Sequence, residues 1–405
     1  MALTGPVPMR GGILGSVLTV AGLLAGAAQA QDVKVQVTYL RVEEPPAVVL
    51  SNLDPIPEDR GIAGAQLGLA DNATTGQFMG HAYALDVVSL PPGSDAAAEA
   101  ARLGEAGQLV LTDMGPGDQL SVADLPGLAQ ALIFNVSAED GVLRNRQCRA
   151  NLLHTASELR MRTDALMQVL LAKRWTKAAL IEGEGPENAA LAEAYRASAT
   201  KFGIKIVSTA AWSEAGDLRR NAAQEVPLLT QKFKDHHVVL VADAADDFAR
   251  YIEHNTWVPR PVIGSTGLRA LTWDRVVEQW GAAQLQSRFQ ALAGRDMGPR
   301  DFAAWVAMRV IGEAVTRTGS ADPQVIRDYV LSPEFELAAF LGRPVSFRTW
   351  NGQLRQPIPV VNARAVVGVA PLDGFEHARN PLDSLGTDAP ESTCTEFETA
   401  MNEGN

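Results

Sequence analysis

The sequence predicts an α/β protein in which two blocks of alternating strands and helices are followed by a helical stretch and a hairpin. Three observations predict this class. Short apolar segments such as "VKVQVTY" (33–39) and "HVVLVAD" (237–243) recur, helical patterns separate them, and Asn351-Gly352 marks a hairpin. Strands that alternate with helices favour βαβ units and parallel sheets. We therefore expect two Rossmann-like lobes, each built around its own sheet.

The first block begins with "VKVQVTY", whose apolar and polar residues alternate as in a half-buried strand. A helical pattern follows Arg60, and the extended segment "HAYALDVVSL" (81–90) comes next. An alanine-rich helix is expected from position 95 to 106. Two apolar strands then end at Thr112 and near Ser137.

The second block repeats this order. Its first helix has one apolar face, formed by Leu159, Leu166, Met167, Leu170 and Leu171. The strands that follow are "KAALIE" (177–182), "IKIVSTA" (204–210), "HVVLVAD" and "PVIGS" (261–265). Gly203 is expected to close a helix, and Pro227 to start another, because proline suits the first helical turn.

The third block is helical and then extended. Residues 299–332 predict helices, with a second one opening at Pro323. Their apolar face comprises Phe302, Trp305, Val306, Val310 and Ala314. The segment "VSFRTWNGQLRQPIPVV" (345–361) has two extended runs around Asn351-Gly352, a strong hairpin signal. From about Asn380 the chain is polar, and we expect it to be poorly ordered except where Cys394 holds it.

The first thirty residues predict a secretion signal. Arg10 is the only charge, residues 11–26 are an apolar run, and Ala28-Gln29-Ala30 fits a cleavage site. The apolar run is shorter than the ~20 residues of a membrane-spanning helix. We expect cleavage after Ala30 and a soluble protein exported to the periplasm.

Composition and cysteine usage narrow the function. The formal net charge of -12 disfavours nucleic-acid binding, which requires clustered Lys and Arg. It leaves open an anionic ligand in a locally basic pocket. Cys148 and Cys394 are the only cysteines, and an oxidising compartment favours a disulfide between them. Two free buried thiols are the alternative.

A glycine-rich turn, "EGEGPEN" (182–188), follows a predicted strand. Gly183 and Gly185 fit the start of a dinucleotide-binding turn, but Asn188 stands in the position of the third glycine. Pro186 removes one N–H group, and the three glutamates of this loop would repel a phosphate. The loop is expected to line a cleft at the carboxyl end of its strand. A plain βα turn is the alternative.

The order of these elements resembles that of type I periplasmic solute-binding proteins of ABC transporters, the leucine/isoleucine/valine-binding group. The resemblance covers nearly the whole mature chain. Four segments carry it: "DRGIAGAQLGLADNATTGQFMGHAYALDVV" (59–88), "KAALIEGEGPENAALAEAYRASATKFGIKIV" (177–207), "GPRDFAAWVAMRVIGEAVTRTGSADPQVIRDYVLS" (298–332) and "FRTWNGQLRQPIPVVNARAVVGV" (347–369).

This resemblance implies two α/β lobes joined by three crossings, which close on a ligand by a hinge motion. We expect the crossings near residues 151–157, 287–292 and 342–346. The expected division is a signal peptide at 1–30, lobe 1 at 31–153 and 290–344, lobe 2 at 154–289 and 345–380, and a tail at 381–405.

One loop departs from the pattern of that group. Its amino-acid binders carry a loop rich in glycine and serine after the strand that here ends at Thr112, whereas this chain has "TDMGPGDQL" (112–120). The departure argues against an α-amino-acid ligand. A narrower resemblance is to a branch associated with quinoprotein alcohol dehydrogenase systems, which implies pyrroloquinoline quinone (PQQ), a flat tricarboxylated quinone, as the ligand.

The candidate ligand residues lie in loops that follow predicted strands. In lobe 1 they are Arg41, Thr112, Asp113, Ser137, Arg144 and Arg146. In lobe 2 they are Glu184, Trp212, Asp243, Ser265, Thr266 and Arg269. Arginines suit carboxylates because their forked donors bind both oxygens, and an indole offers a stacking face. Solvated arginines and a packed tryptophan are the alternatives.

The motifs HExxH, GxSxG and CxxC do not occur in the sequence. We therefore expect a receptor and not an enzyme, with no metal site and no required cofactor, PQQ entering only as bound ligand. The expected partners are a small molecule and an ABC permease at the inner membrane, with no nucleic acid and a monomeric state. An amino-acid or other small-carboxylate receptor of the same fold, and a sensing module for a membrane sensor, are the alternatives.

Overall fold

The computed structural model describes residues 33–45, 56–104, 108–213 and 218–397. The predicted signal peptide and its cleavage site lie outside them. Within these ranges, no helix is long and apolar enough to cross a membrane.

The first sheet is parallel throughout. Its strands are β1 (Val33–Val42), β2 (His81–Leu90), β3 (Leu109–Asp113), β4 (Leu132–Asn135) and β5 (Leu152–His154). They lie in the order β2-β1-β3-β4-β5. The intervening helices are α1 (Ile62–Gly76), α2 (Ala96–Arg102) and α3 (Pro116–Ala123). The predicted strands are confirmed, whereas β5 and α3 were not predicted, and α2 ends earlier than expected.

A second parallel sheet follows. Its elements are α4 (Leu159–Ala172), β6 (Lys177–Glu182), α5 (Pro186–Lys201), β7 (Lys205–Ala211), α6 (Leu218–Thr230), β8 (Val238–Ala242), α7 (Ala249–Ile252) and β9 (Val262–Gly264). The strand order is β7-β6-β8-β9. The prediction for Pro227 is wrong: it lies inside α6. The helix has already begun at Leu218, and this proline only removes one donor from its ladder.

The remaining elements complete both halves. They are β10 (Arg269–Ala270), α8 (Ala282–Ala293), α9 (Pro299–Thr318), α10 (Pro323–Leu331), β11 (Ser346–Phe347), β12 (Leu354–Arg355), β13 (Ile358–Val361) and β14 (Val366–Ala370). The hairpin predicted around Asn351-Gly352 is β11–β12. The second extended run continues into β13, which pairs with β10 and β14 instead.

Both sheets are covered on two faces, which explains why β3 and β8 are buried along their whole length. We call the first sheet with α1, α8 and α9 the first half, whose core includes Tyr39, Phe134 and Trp305. The second sheet with α4, α5 and β13–β14 is the second half, whose core includes Leu166 and Leu240.

The chain passes between the two cores at His154–Leu159, between Ala270 and Trp273, and between Leu354 and Ile358. The first passage overlaps the range 151–157 that was predicted for the first crossing. The predicted second passage, 287–292, lies inside α8, which packs on α1, and the predicted third, 342–346, is enclosed by the first core. The lobe boundaries given above and any hinge motion remain predictions.

The segment that follows β14 is packed, contrary to the expectation for the polar tail. Leu382, Leu385 and Phe397 are buried, and the segment contains two short 3-10 helices, Pro381–Ser384 and Ala389–Glu391. Cys394 forms the predicted disulfide with Cys148. The polar composition of this segment wrongly predicted poor order. A few apolar residues are enough to order a segment that a covalent bond also holds in place.

Candidate functional site

Each parallel sheet has one place where the chain changes direction across the sheet. In the first sheet β2 lies on one side of β1 and β3 on the other; in the second sheet β7 and β8 flank β6 in the same way. Loops that leave the carboxyl ends of such neighbouring strands diverge and leave a crevice in which α/β proteins bind ligands. We call these the first crevice, at β1/β3, and the second crevice, at β6/β8.

Asp113 ends β3 at the first crevice and is only 2% exposed. Its carboxylate accepts a hydrogen bond from the Tyr39 hydroxyl at 2.8 Å and pairs with the Arg300 guanidinium at 3.2 Å. Burial, reinforced by Asp113, holds the pKa of Tyr39 well above 10.0, so the phenol stays protonated and donates. Burial opposes the charge of Arg300, but Asp113 and Glu44 outweigh it and raise its pKa. Asp113 is therefore engaged by protein groups.

Arg41, near the end of β1, uses only part of its hydrogen-bonding capacity within the protein. It donates to the carbonyl of Glu58 at 2.6 Å and pairs with Glu43 at 3.3 Å. Its buried Nε has no hydrogen-bond partner among the described residues. One N–H group of this arginine thus remains for another acceptor.

The loop between β3 and α3 is shaped by buried polar residues. The Thr112 hydroxyl donates to the Gln119 side chain at 2.6 Å, and the Ser137 hydroxyl accepts from the Met114 amide at 3.0 Å. A Cβ added at Gly115 or Gly117 would meet no atom within 4 Å, so this loop borders open space. The start of α3 has no side-chain cap, which leaves its first amide groups available to a ligand.

Arg144 does not face either crevice as a free cation. It is completely buried, and its guanidinium donates to the Gln353 side chain at 2.8 Å and to the carbonyls of Ala138, Asp140 and Ala156 at 2.9–3.0 Å. Its role as a carboxylate ligand, expected from the sequence, is therefore replaced by a structural one. Arg146, two residues later, is exposed.

The second crevice contains two buried polar groups that lack partners. Trp212, directly after β7, is 3% exposed and stacks on Phe248 with centroids 5.5 Å apart, so one ring face is already covered. Asp243, directly after β8, accepts from the amides of Phe248 and Ala249, each at 2.8 Å. The Trp212 indole N–H and the second Asp243 oxygen have no hydrogen-bond partner among the described residues.

The other candidates of the second half are held by neighbours. The Ser265 hydroxyl accepts from the Asp243 amide at 3.0 Å, and Thr266 donates to Glu253 at 2.9 Å. Arg269 lies 3.5 Å from Asp274 and retains a third of its side-chain exposure.

The glycine-rich turn at 182–188 joins two loops. Asn188, in the position of the third glycine, accepts from the Ala244 amide at 2.6 Å and donates to the Glu184 carbonyl at 2.6 Å. A Cβ at Gly183 would lie 2.5 Å from Asn188 and 2.6 Å from Phe248. Glycine is thus required for packing, while the Glu184 side chain points to solvent.

Sequence reasoning missed Tyr39, Gln119, Asn188 and Arg300. Arg300 reaches Asp113 only because α9 packs on α1, and no local pattern could indicate that contact. Among the described residues there is no group of three or more His, Cys, Asp or Glu side chains that could hold a metal ion.

Comparison with solved structures identifies the fold. A branched-chain amino acid ABC transporter periplasmic ligand-binding protein from Burkholderia xenovorans aligns with a TM-score of 0.67 at 16% identity, over 90% of this chain and 100% of its own. A leucine-, isoleucine-, valine-, threonine- and alanine-binding protein from Brucella ovis, in a closed conformation, aligns with a TM-score of 0.63 at 13% identity, over 88% and 93%. This chain has the fold of type I periplasmic binding proteins.

A third structure with this fold contains an aromatic ligand. It is the solute-binding protein of an ABC transporter from Rhodopseudomonas palustris in complex with 3,4-dihydroxybenzoic acid, with a TM-score of 0.56 at 13% identity over 82% of this chain and 95% of its own. No protein-family model and no curated protein sequence matches the chain. At these identities the likeness concerns the fold.

Proposed function

We propose that the protein is a periplasmic solute-binding protein that presents a small molecule to an ABC permease. The observation that carries the proposal is the pair of strand-end crevices, one in each half of a periplasmic-binding-protein fold. Such crevices bind ligands in α/β proteins, and the three passages of the chain between the cores supply a hinge. Recognition by binding and release requires no catalytic group, so the proposal is a receptor and not an enzyme.

Closure between the halves is supported by one contact that already joins them. Glu139, in the loop after β4, pairs with Arg162 of α4. Arg162 also donates to the Ala270 carbonyl at 3.0 Å, where the chain leaves the second half. A strand-end loop of the first half therefore meets the second half. Ligand that bridges both crevices would shift the population toward the closed form.

We propose a small anionic aromatic as the ligand, with PQQ as the specific candidate. Three features favour this class: the exposed Arg146, the unpartnered N–H of Arg41, and the open amide groups at the start of α3. The 3,4-dihydroxybenzoate complex shows that this fold can hold an aromatic carboxylate. Because Arg144 is fully engaged, the carboxylates would be bound by these other groups.

One observation favours an amino acid as the second candidate. The unpartnered oxygen of buried Asp243 is an acceptor that an ammonium group would satisfy. An ammonium group brings a positive charge to this carboxylate, whereas an anionic aromatic can bring only a neutral donor, such as the pyrrole N–H of PQQ. The two candidates therefore differ in the charge that they place beside Asp243.

Calorimetric titration of ligand-free protein with PQQ, 3,4-dihydroxybenzoate and leucine tests the proposal. An aromatic carboxylate should bind, and Arg146→Ala should weaken it roughly ten- to a hundred-fold, since a charge-assisted hydrogen bond contributes about 1.5–3 kcal/mol. Arg102→Ala is the matched control, because Arg102 is an exposed arginine at the end of α2 that pairs with Glu99 of the same helix. Leucine binding that is lost in Asp243→Asn, with no heat from the aromatics, would establish the amino-acid alternative.

Small-angle scattering tests the motion separately. The radius of gyration should fall when the ligand that gives calorimetric heat is added at saturation. An unchanged radius with a bound ligand would exclude hinge closure but leave the binding assignment in place.

A further inference from the structure

The segment after β14 links the two halves a fourth time. Leu385 belongs to the core of the second half, whereas Cys394 and Phe397 belong to the core of the first. The three passages described above are the backbone connections between sheets. This fourth connection is made by a segment that takes no part in either sheet.

The beginning of the segment is bound to the second half. The Gly386 amide donates to Asp164 of α4 at 2.8 Å, and the Thr387 hydroxyl donates to Glu158 at 2.8 Å. Lys201 of α5 donates to the Ser384 carbonyl at 2.9 Å. Asp164 and Glu158 are buried, so these contacts are shielded from solvent.

The end of the segment is bound to the first half. Cys394 is joined covalently to Cys148, and the Thr393 amide donates to Asn145 at 3.3 Å. Phe397 packs against Gly352 so closely that a Cβ there would lie 2.6 Å from its ring. Only a few residues separate these contacts from those with α4.

Two arginines at and next to the third passage hold the segment. Arg348 is fully buried; its guanidinium pairs with Asp383 at 3.1 Å and donates to the carbonyls of Leu385 at 2.5 Å and Thr387 at 3.1 Å. Arg355, at the end of β12, pairs with the same Asp383 carboxylate at 2.8 Å. The segment therefore contacts the third passage as well as both halves.

We infer that residues 382–397, closed by the Cys148–Cys394 disulfide, form a strap that limits how far the two halves separate. The inference rests on the hinge motion of the proposed function but on no ligand. Six residues lie between Thr387 and Cys394 along the chain, and an extended chain gains at most about 3.6 Å per residue. Opening beyond that slack requires the strap to leave α4 or the disulfide to break. Without the disulfide, noncovalent contacts alone hold its far end.

Single-molecule energy transfer on ligand-free protein tests the strap. Dyes are attached through unnatural amino acids at Ala98 of α2 and Glu193 of α5, both exposed, so that the native cysteines stay intact. The double variant Cys148→Ser/Cys394→Ser should broaden the distance distribution toward longer distances. An insertion of four Gly/Ser residues after Ser392, which keeps the disulfide but lengthens the strap, should broaden it as well.

Val226→Ala is the control for lower stability. Val226 is buried in α6, on the face of the second sheet away from the strap, and its variant should leave the distribution unchanged. Identical distributions for wild type and the double serine variant would overturn the inference. Broadening without the disulfide but not with the insertion would also overturn it, because the disulfide would then act only within the first half. All measurements are ligand-free, so failure of solute binding cannot imitate either result.

Discussion

Replacing Arg144 by alanine should destabilise the protein without removing a ligand contact. The guanidinium makes four hydrogen bonds inside the protein, at 2.8–3.0 Å. Two of its partners connect different passages of the chain between the halves. Ala156 lies in the first passage, and Gln353 directly precedes the third. After the substitution the Gln353 oxygen has no donor left, whereas the three carbonyls each keep another donor.

The magnitude follows from two opposing contributions. Four charge-assisted hydrogen bonds at about 1.5 kcal/mol each stabilise the fold by about 6 kcal/mol. Burial lowers the pKa of Arg144 from 12.5 to about 10. At about 1.4 kcal/mol per pKa unit, keeping the charge buried costs about 3–4 kcal/mol. The net loss on substitution should be about 2–3 kcal/mol. Arg144→Lys should lose at least as much, because it keeps the buried charge but not the forked donors.

Urea denaturation followed by circular dichroism measures the change. Arg146→Ala is the matched control: this side chain is exposed, and its removal should change the free energy of unfolding by less than about 0.5 kcal/mol. A midpoint for Arg144→Ala equal to that of wild type would refute the reasoning. It would mean that water replaces the guanidinium without any loss of stability. The stability of the two passages would then not depend on Arg144.

Three further predictions concern single side chains. Tyr39→Phe removes the hydrogen bond to buried Asp113 and should cost about 1.5–3 kcal/mol in denaturation experiments; an unchanged midpoint would contradict it. Burial, with a nearby cation, holds the pKa of His154 well below 6.5. As pH falls below 6.5 the unfolded chain binds a proton that the folded protein does not, so stability should fall by up to about 1.4 kcal/mol per pH unit. In His154→Asn that slope should be reduced, and an equal slope would show that other groups cause it. Gly183→Ala should lower the melting temperature because its Cβ would overlap Phe248, whereas Gly117→Ala in α3, which faces open space, should not.

The central strands were predictable because burial on both faces leaves a continuous apolar signal. β8, for example, is buried at every position and reads "VVLVA". The helices of the third block were predictable from their apolar face and from the prolines at their first turns. β5 was missed because no Pro or Gly flanks its three residues, whereas Pro261 and Gly264 mark the equally short β9.

The passages and the site were less predictable because they depend on contacts between distant residues. The second passage was placed within α8, although the packing of α8 on α1 assigns that helix to the first half. Arg144 was predicted to bind the ligand because it follows a strand and bears a positive charge. An arginine that binds a ligand has the same two properties, so the sequence cannot distinguish the two cases. Only the fold shows that the side chain of Gln353, 209 residues away, accepts a hydrogen bond from the Nε of Arg144. Strand-end position therefore identifies where a site lies, but not which side chains are free to serve it.

The glycine-rich turn shows the same limit at one loop. Its two glycines match a nucleotide-binding turn, yet Gly183 is required by the nearness of Phe248 and Asn188. Asn188 fixes the loop after β8 through the Ala244 amide, next to Asp243. Phe248 in turn supports the Trp212 ring and donates its amide to Asp243. One packed cluster thus sets the positions of the two unpartnered polar groups of the second crevice before any ligand arrives. A preorganised donor and acceptor lose little entropy on binding, which is the physical reason to search for the ligand's polar groups at this point.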